Sequence, residues 1–429
     1  MDQIITFIVD IMTYISSLGN VLMMPLVFTG LCLIFGMNLL DAVRHSVKVG
    51  IGFIGFNMVN AMVISKIGPA VTLMAQQRGM HLNTLDLGWP AVSTIAYATE
   101  LGALIVVLGL LFNILLILLR LVKTLDVDLW NYWQWALTGS FVMLLTGSFI
   151  WGLIAALIHE FITLLIADAS AKMIQDYLHQ PNISISHAFA TVMWLLAWPI
   201  AKFWELIGWK EKKNSKEQTT IGKKFKKVLD PVIIGLVIGL GIGVLGYAGT
   251  GMGFKESFRK IMDVGMASAG VLILMPKAVS VLLEGINPIS AQARKVLQER
   301  LAKSGRELYI GVDSAVMAQD EMILIASVLL IPLALLMAPV LPGNKLIPFG
   351  GITSLVYNIC MIAPLVKGDF LKLFVTSAIL LAVLMILGSN WAPQVTALVA
   401  ENGLAMPADG ASVSFLANPI TWIMVVLAR

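Results

Sequence analysis

Residues 85–94, LDLGWPAVST, set a carboxylate, a glycine, a tryptophan and a proline side by side in a chain that is oily almost throughout. A charged side chain at membrane depth costs about 2.5–3.5 kcal/mol on insertion scales, so it is expected to face a cavity or a partner there. Asp86 is therefore a candidate for gripping a polar ligand. The plainer role is that of a cap on a short helix starting from a surface loop. Trp89 offers a flat apolar face for the C–H edge of a sugar or polyol, together with one N–H donor. It also suits the aromatic belt of a membrane interface.

Three further stretches carry chemistry. In LDVDLWNYWQWALTG (125–139), Trp130, Gln134 and Thr138 share a face at helical spacing. Gln134 supplies both a donor and an acceptor for hydroxyl recognition, whereas the four aromatics in six residues also read as an interfacial anchor. In ISISHAFATVMWL (183–195), His187 opens a short apolar segment, as a ligand-facing or a structural histidine. In YIGVDSAVMAQDEM (309–322), Asp313 and Ser314 are candidates for the opposite wall of a site. His159 and Glu160 close a long apolar run and read as interfacial; no third ligand accompanies them, so no metal site is assigned. The turn signal and glycine pair of LPGNKLIPFGGITSLVYN (341–358) permit a close backbone approach or tight helix packing. No P-loop and no nucleophile with a nearby base is found, so neither a cofactor nor a catalytic residue is expected.

The elements that must position these residues are membrane helices. Of 429 residues, 58% are hydrophobic and 13% charged, with a mean hydropathy of +0.88, where soluble domains carry about 25% charged residues. Spans of bilayer length are expected at 20–37, 46–64, 101–121, 136–165, 231–249, 264–283, 322–341, 370–388 and 413–427. Backbone groups in lipid must be satisfied within each segment, which predicts an all-α polytopic bundle of about 10–11 spans. Shorter segments interrupted by Gly, Pro or polar residues, at 84–99, 186–206 and 346–366, read as re-entrant or broken helices buried in protein. The N-terminus lacks the basic flank of a cleavable signal and reads as a surface or first-span segment. Cys32 and Cys360 sit in apolar surroundings as buried small hydrophobes. Eight lysines against two glutamates at 210–227 mark a cytoplasmic loop, and its single aromatic, Phe225, argues against nucleic acid.

The second half of the chain weakly echoes the first. SKIGPAVTLMAQQRG (65–79) resembles EGINPISAQARKVLQ (284–298), and GWPAVST (88–94) falls opposite VDSAVMA (312–318). The organisation predicted is a first repeat at about 20–165, a connection with the basic loop at 166–230, a second repeat at about 231–391, and a last span at 413–427. Duplicated units with interrupted segments at matching places are the sign of a transporter whose site lies where the repeats meet, and an inverted relation is favoured. An ion-coupled transporter, with Asp86 and Asp313 as ion sites, is the alternative on these grounds.

The ordered strings SKIGPA, LDLGWP, LDVDLWNYWQ, ISISH, GVDSAV, LPGNKLIPFG and ANPITW resemble the IIC membrane component of the galactitol-type bacterial phosphotransferase system, a family grouped with the ascorbate-type transporters. The resemblance covers nearly the whole chain. It implies a homodimer in the bacterial cytoplasmic membrane, with a substrate-carrying core that moves in an elevator-like way. It also implies soluble partners: a phosphohistidine on IIA feeds a cysteine on IIB, which phosphorylates the sugar as IIC releases it. The substrate contacts it implies are Asp86, Gln134, Thr138, His187 and Asp313. The family pattern often has histidine at the place of Gln134 and proline at that of Ser314, so the implied substrate is galactitol or a related polyol. Lys223 and Lys224, in the basic loop, are candidates for docking the anionic partner.

Overall fold

The computed structural model describes residues 18–78, 84–209, 231–302, 307–401, 410–412 and 417–429. The basic loop with Lys223 and Lys224, the N-terminal segment and the first residues of the last predicted span lie outside them. In the first half the helices are α1 (Asn20–Ile34), α2 (Leu39–Met62), α3 (Gly68–Arg78), α4 (Gly88–Ala98), α5 (Glu100–Leu118), α6 (Trp133–Thr146), α7 (Phe149–Leu178) and α8 (Ala188–Leu206). The second half holds α9 (Pro231–Tyr247), α10 (Phe254–Ala302), α11 (Glu321–Met337), α12 (Leu355–Ile359), α13 (Ile362–Leu365), α14 (Phe370–Asn390), α15 (Ala392–Glu401) and α16 (Pro419–Ala428).

Among the described residues, four helical stretches are long and apolar enough to cross a bilayer: Leu39–Met74, Phe149–Leu178, Phe254–Arg300 and Phe370–Asn390. Large apolar side chains stand exposed on the outer faces, Leu40, Met58, Leu111 and Ile150 among them. Exposed apolar surface of that extent is what a bilayer covers. This is a predominantly helical membrane protein. Inside it, Gly235, Gly239 and Gly243 bring α9 against α10: an added Cβ at Gly235 would lie 2.7 Å from the Ala269 Cα and at Gly243 2.9 Å from the Ile261 Cα. Small residues at four-residue spacing permit such contact without a hydrophobic drive between helices.

Two expectations about spans need correction. The run 136–165 is two helices, because Gly147 adopts φ 65° and Ser148 then caps α7 by accepting the Trp151 amide. The segment 186–206 contains an unbroken 19-residue helix, α8, with Pro199 inside it. The segments 84–99 and 346–366 are interrupted as expected.

The fold also contains strands that the apolar pattern did not announce: β1 (Thr84–Asp86), β2 (Thr124–Asp126), β3 (Ile183–Ile185), β4 (Tyr309–Val312), β5 (Leu346–Ile347) and β6 (Ala411–Ser412). They form two parallel three-stranded sheets, ordered β5-β1-β6 and β2-β4-β3. In the first, Leu85 pairs with both Ile347 and Ala411; in the second, Ile310 pairs with both Leu125 and Ile183. Each central strand therefore comes from one half of the chain and both its neighbours from the other. The ladders satisfy the extended backbone of the interrupted segments inside the protein, the condition for non-helical chain at membrane depth.

Candidate functional site

Each sheet ends where a short helical segment begins, and those beginnings converge. Beyond β1 lies Trp89 on α4; beyond β2, a 3-10 turn at Leu129–Tyr132 carries Trp130 and Asn131. Beyond β3, His187 caps α8; beyond β4, Asp313 caps a 3-10 turn at Ser314–Val316; beyond β5 comes a 3-10 turn at Gly350–Ser354. Between these segments lies a partly open cavity lined by residues of both halves of the chain.

Its first-half wall is aromatic and polar: Trp89, Trp130, Asn131, Trp133, His187 and Phe189. The second half contributes Asp313, Ser354, Tyr357 and Asn358, with Val279 and Leu283 from α10. Edge contacts hold the indoles in place: Trp89 and Trp130 centroids are 6.1 Å apart at 74°, and Phe56 lies 6.3 Å from Trp89. The Tyr97 hydroxyl donates 2.6 Å to the Trp130 carbonyl, fixing the 3-10 turn from α4.

Of the residues predicted from sequence, Trp89, His187 and Asp313 meet in this cavity, while Asp86, Gln134, Thr138 and Ser314 do not line it. Asp86 is fully buried, and its carboxylate is clasped by backbone. Oδ1 accepts the Gly88 amide at 3.1 Å, and Oδ2 accepts Phe349 at 3.2 Å and Gly351 at 2.7 Å. Gln134 stands one layer behind the wall: Oε1 accepts the Ala188 amide at 2.7 Å, while Nε2 donates 3.0 Å to Asn131 Oδ1 and lies 2.9 Å from His187 Nε2. It orients two lining side chains and caps α8. Thr138 bonds His159 Nδ1 and the Thr421 hydroxyl, each at 2.7 Å. The Ser314 hydroxyl donates 3.0 Å to Asp313 Oδ1.

His159 and Glu160 are not interfacial: both are fully buried on α7. His159 Nε2 meets Asn418 at 3.2 Å, and Asn418 donates in turn to the Ala188 carbonyl, so α16, α7 and α8 are tied in one polar network. The apolar run ends at residue 165, but the helix continues to Leu178, which puts the pair near its middle. Sequence reasoning passed over Trp133, Ser354, Tyr357 and Asn358. Ser354 and Asn358 are detectable afterwards as polar residues at i and i+4 in an apolar run, one face of a turn.

The sequence profile of the family described as EIIC-GAT, the sugar-specific permease component of the phosphotransferase system, matches residues 14–409. The chain belongs to that family. This permease is also 30% identical over 420 residues to the galactitol-specific EIIC component of the phosphotransferase system of Escherichia coli (strain K12), covering 97% of this chain and 90% of the relative. The corresponding component of Escherichia coli O157:H7 matches at the same identity and coverage. A third relative, whose name assigns it provisionally as a permease IIC component of strain K12, is 33% identical over 411 residues, 95% of this chain and 92% of its own. The protein is thus a phosphotransferase-system IIC permease. The ion-coupled alternative is not favoured by this membership.

Proposed function

We propose that this permease binds galactitol or a closely related polyol in the cavity between its halves. It then presents the polyol to a phosphorylated IIB protein at the cytoplasmic face of the bacterial inner membrane. The observation that carries the reading is the cavity's chemistry: indole faces for C–H edges beside Asn131, His187, Asp313 and Ser354 for hydroxyls. Trp133 adds a particular reason. Its indole N–H is buried and has no acceptor among the described residues. A buried donor left unpaired costs about 1–3 kcal/mol, and a substrate hydroxyl would relieve that cost.

The phosphoryl group comes from a phosphohistidine on IIA by way of a phosphocysteine on IIB, and Lys223 and Lys224 dock that anionic partner. We read the two halves as inverted repeats. The reading is supported by the shared element order and by the way each half lends both edge strands to the other's central strand. A homodimer whose core carries the cavity across the membrane in an elevator-like movement completes the proposal. In this reading Trp89, His187 and Asp313 touch the substrate, Gln134 and Ser314 hold His187 and Asp313, and Asp86 and Thr138 support the site from behind.

The test is conversion. Membrane vesicles supplied with IIA, IIB and phosphoenolpyruvate are expected to turn external labelled galactitol into its phosphate inside. Accumulation of the free polyol without those partners would overturn the assignment. Trp133→Phe keeps the ring and deletes the N–H, so polyol affinity measured by equilibrium binding is expected to fall about five- to tenfold, the equivalent of roughly 1 kcal/mol. An unchanged affinity would remove Trp133 from the recognition set.

A further inference from the structure

A polyol hydroxyl that attacks a thiophosphate must lose its proton, and the cavity contains few groups able to take it. Its titratable lining residues are His187, Asp313 and Tyr357. A neutral His187 ring has one lone-pair nitrogen, and either tautomer spends it: Nδ1 on the Ala190 amide at 3.3 Å, or Nε2 on the Gln134 amide nitrogen at 2.9 Å. Gln134 cannot turn its oxygen toward the ring, because that oxygen already takes the Ala188 N–H at 2.7 Å. Tyr357 is a phenol, whose neutral oxygen is a poor proton acceptor. Asp313 differs from both. Its Oδ1 accepts the Ser314 hydroxyl and the Ala315 amide, each at 3.0 Å. No hydrogen bond engages Oδ2 among the described residues, and the side chain is half-buried at the cavity wall.

The backbone makes that placement firm. Asp313 follows Val312, the last residue of the central strand β4, which is flanked by β2 and β3. The capping bonds of Oδ1 then fix the carboxylate plane, so Oδ2 is the free acceptor of a positioned group. A base needs that combination before its basicity matters.

We propose that Asp313 is the general base of phosphoryl transfer, a catalytic residue contributed by the permease to a reaction whose phosphoryl donor is the partner's phosphocysteine. The polyol oxygen forms the new O–P bond. The S–P bond breaks with its electron pair left on the cysteine sulfur as thiolate. The hydroxyl proton passes to Oδ2 of Asp313 and from there to water. This rests on the reading given under Proposed function and adds to it a role in the chemical step.

The experiment separates binding from turnover in purified permease, using tritiated galactitol and phosphorylated IIB in single-turnover assays. Asp313→Asn retains the Oδ1 acceptor that caps the 3-10 turn. Because Asp313 also touches the polyol, affinity is expected to fall about tenfold, whereas phosphorylation at saturating galactitol is expected to be at least a hundredfold slower, since general bases contribute roughly 10²–10⁴-fold. Phosphorylation slowed less than tenfold at saturating galactitol would overturn the proposal and leave Asp313 a recognition residue or less. If the amide variant is not monodisperse, Asp313→Ser, which also caps a helical turn, answers by the same criteria. Failure of the native protein to bind galactitol or any other hexitol would overturn the functional reading itself, and that arm is read first.

Discussion

Asp86→Ala is expected to abolish recovery of folded permease from detergent extracts, or to lower its unfolding temperature by well over ten degrees where protein survives. Three backbone amides, those of Gly88, Phe349 and Gly351, lose their acceptor together in a fully buried place. Hydrogen bonds to a charged group contribute roughly 1.5–3 kcal/mol each, and buried donors left behind cost their desolvation. The sum is about 5 kcal/mol or more, against a total stability of 5–15 kcal/mol for a typical domain. Asp86→Asn is expected to be nearly as damaging, since one of its two terminal atoms becomes a donor facing donors. Size-exclusion profiles and thermal melts in detergent measure both. A monodisperse Asp86→Ala protein with native melting and lost galactitol binding would return Asp86 to the substrate.

The sequence made the helices legible because lipid imposes a simple demand, an apolar run of sufficient length. It also marked LDLGWP, GVDSAV and LIPFGG as interruptions, and those are among the segments that build the cavity. What it hid was partnership. Two of the three amides that hold Asp86 lie more than 260 residues away, at Phe349 and Gly351, and no local pattern encodes such a pairing. Strands of two to four residues such as TLD, ISI and YIGV have no room to show an alternation against an apolar background, so the two sheets went unseen. The aromatic run 130–135 was ambiguous for a related reason. Belt and cavity use the same residues, and only the contacts of Trp130 with Trp89 and Tyr97 separate the two. Gln134 was singled out for the right chemistry, a donor and an acceptor on one amide, but the structure spends both on Ala188, Asn131 and His187.

Gly350→Ala is the second substitution expected to have a large effect, and its cause is steric alone. An added Cβ there would lie 2.4 Å from the carbonyl carbon and oxygen of Leu87, and one at Gly88 would lie 2.4 Å from those of Gly350. The two interrupted segments thus cross backbone against backbone, and no side-chain rotation relieves the clash. Gly88 carries a further penalty, since its φ of 75° disfavours any side chain. Gly147 separates the two contributions: it has φ 65° with nothing within 4 Å of its added Cβ. Gly147→Ala is therefore expected to cost only the backbone term, about 1–2 kcal/mol, and to leave galactitol binding unchanged. Gly350→Ala must instead push the two chains apart. The turn Gly350–Ser354 leads directly to Ser354, Tyr357 and Asn358 on the cavity wall. A misplacement of about 1 Å at such a site costs on the order of a hundredfold in function, so any folded Gly350→Ala protein should show sharply reduced phosphorylation of galactitol beside its lowered melting temperature. Native melting and native turnover in Gly350→Ala, with damage confined to Gly147→Ala, would show that the crossing yields easily and does not hold the site.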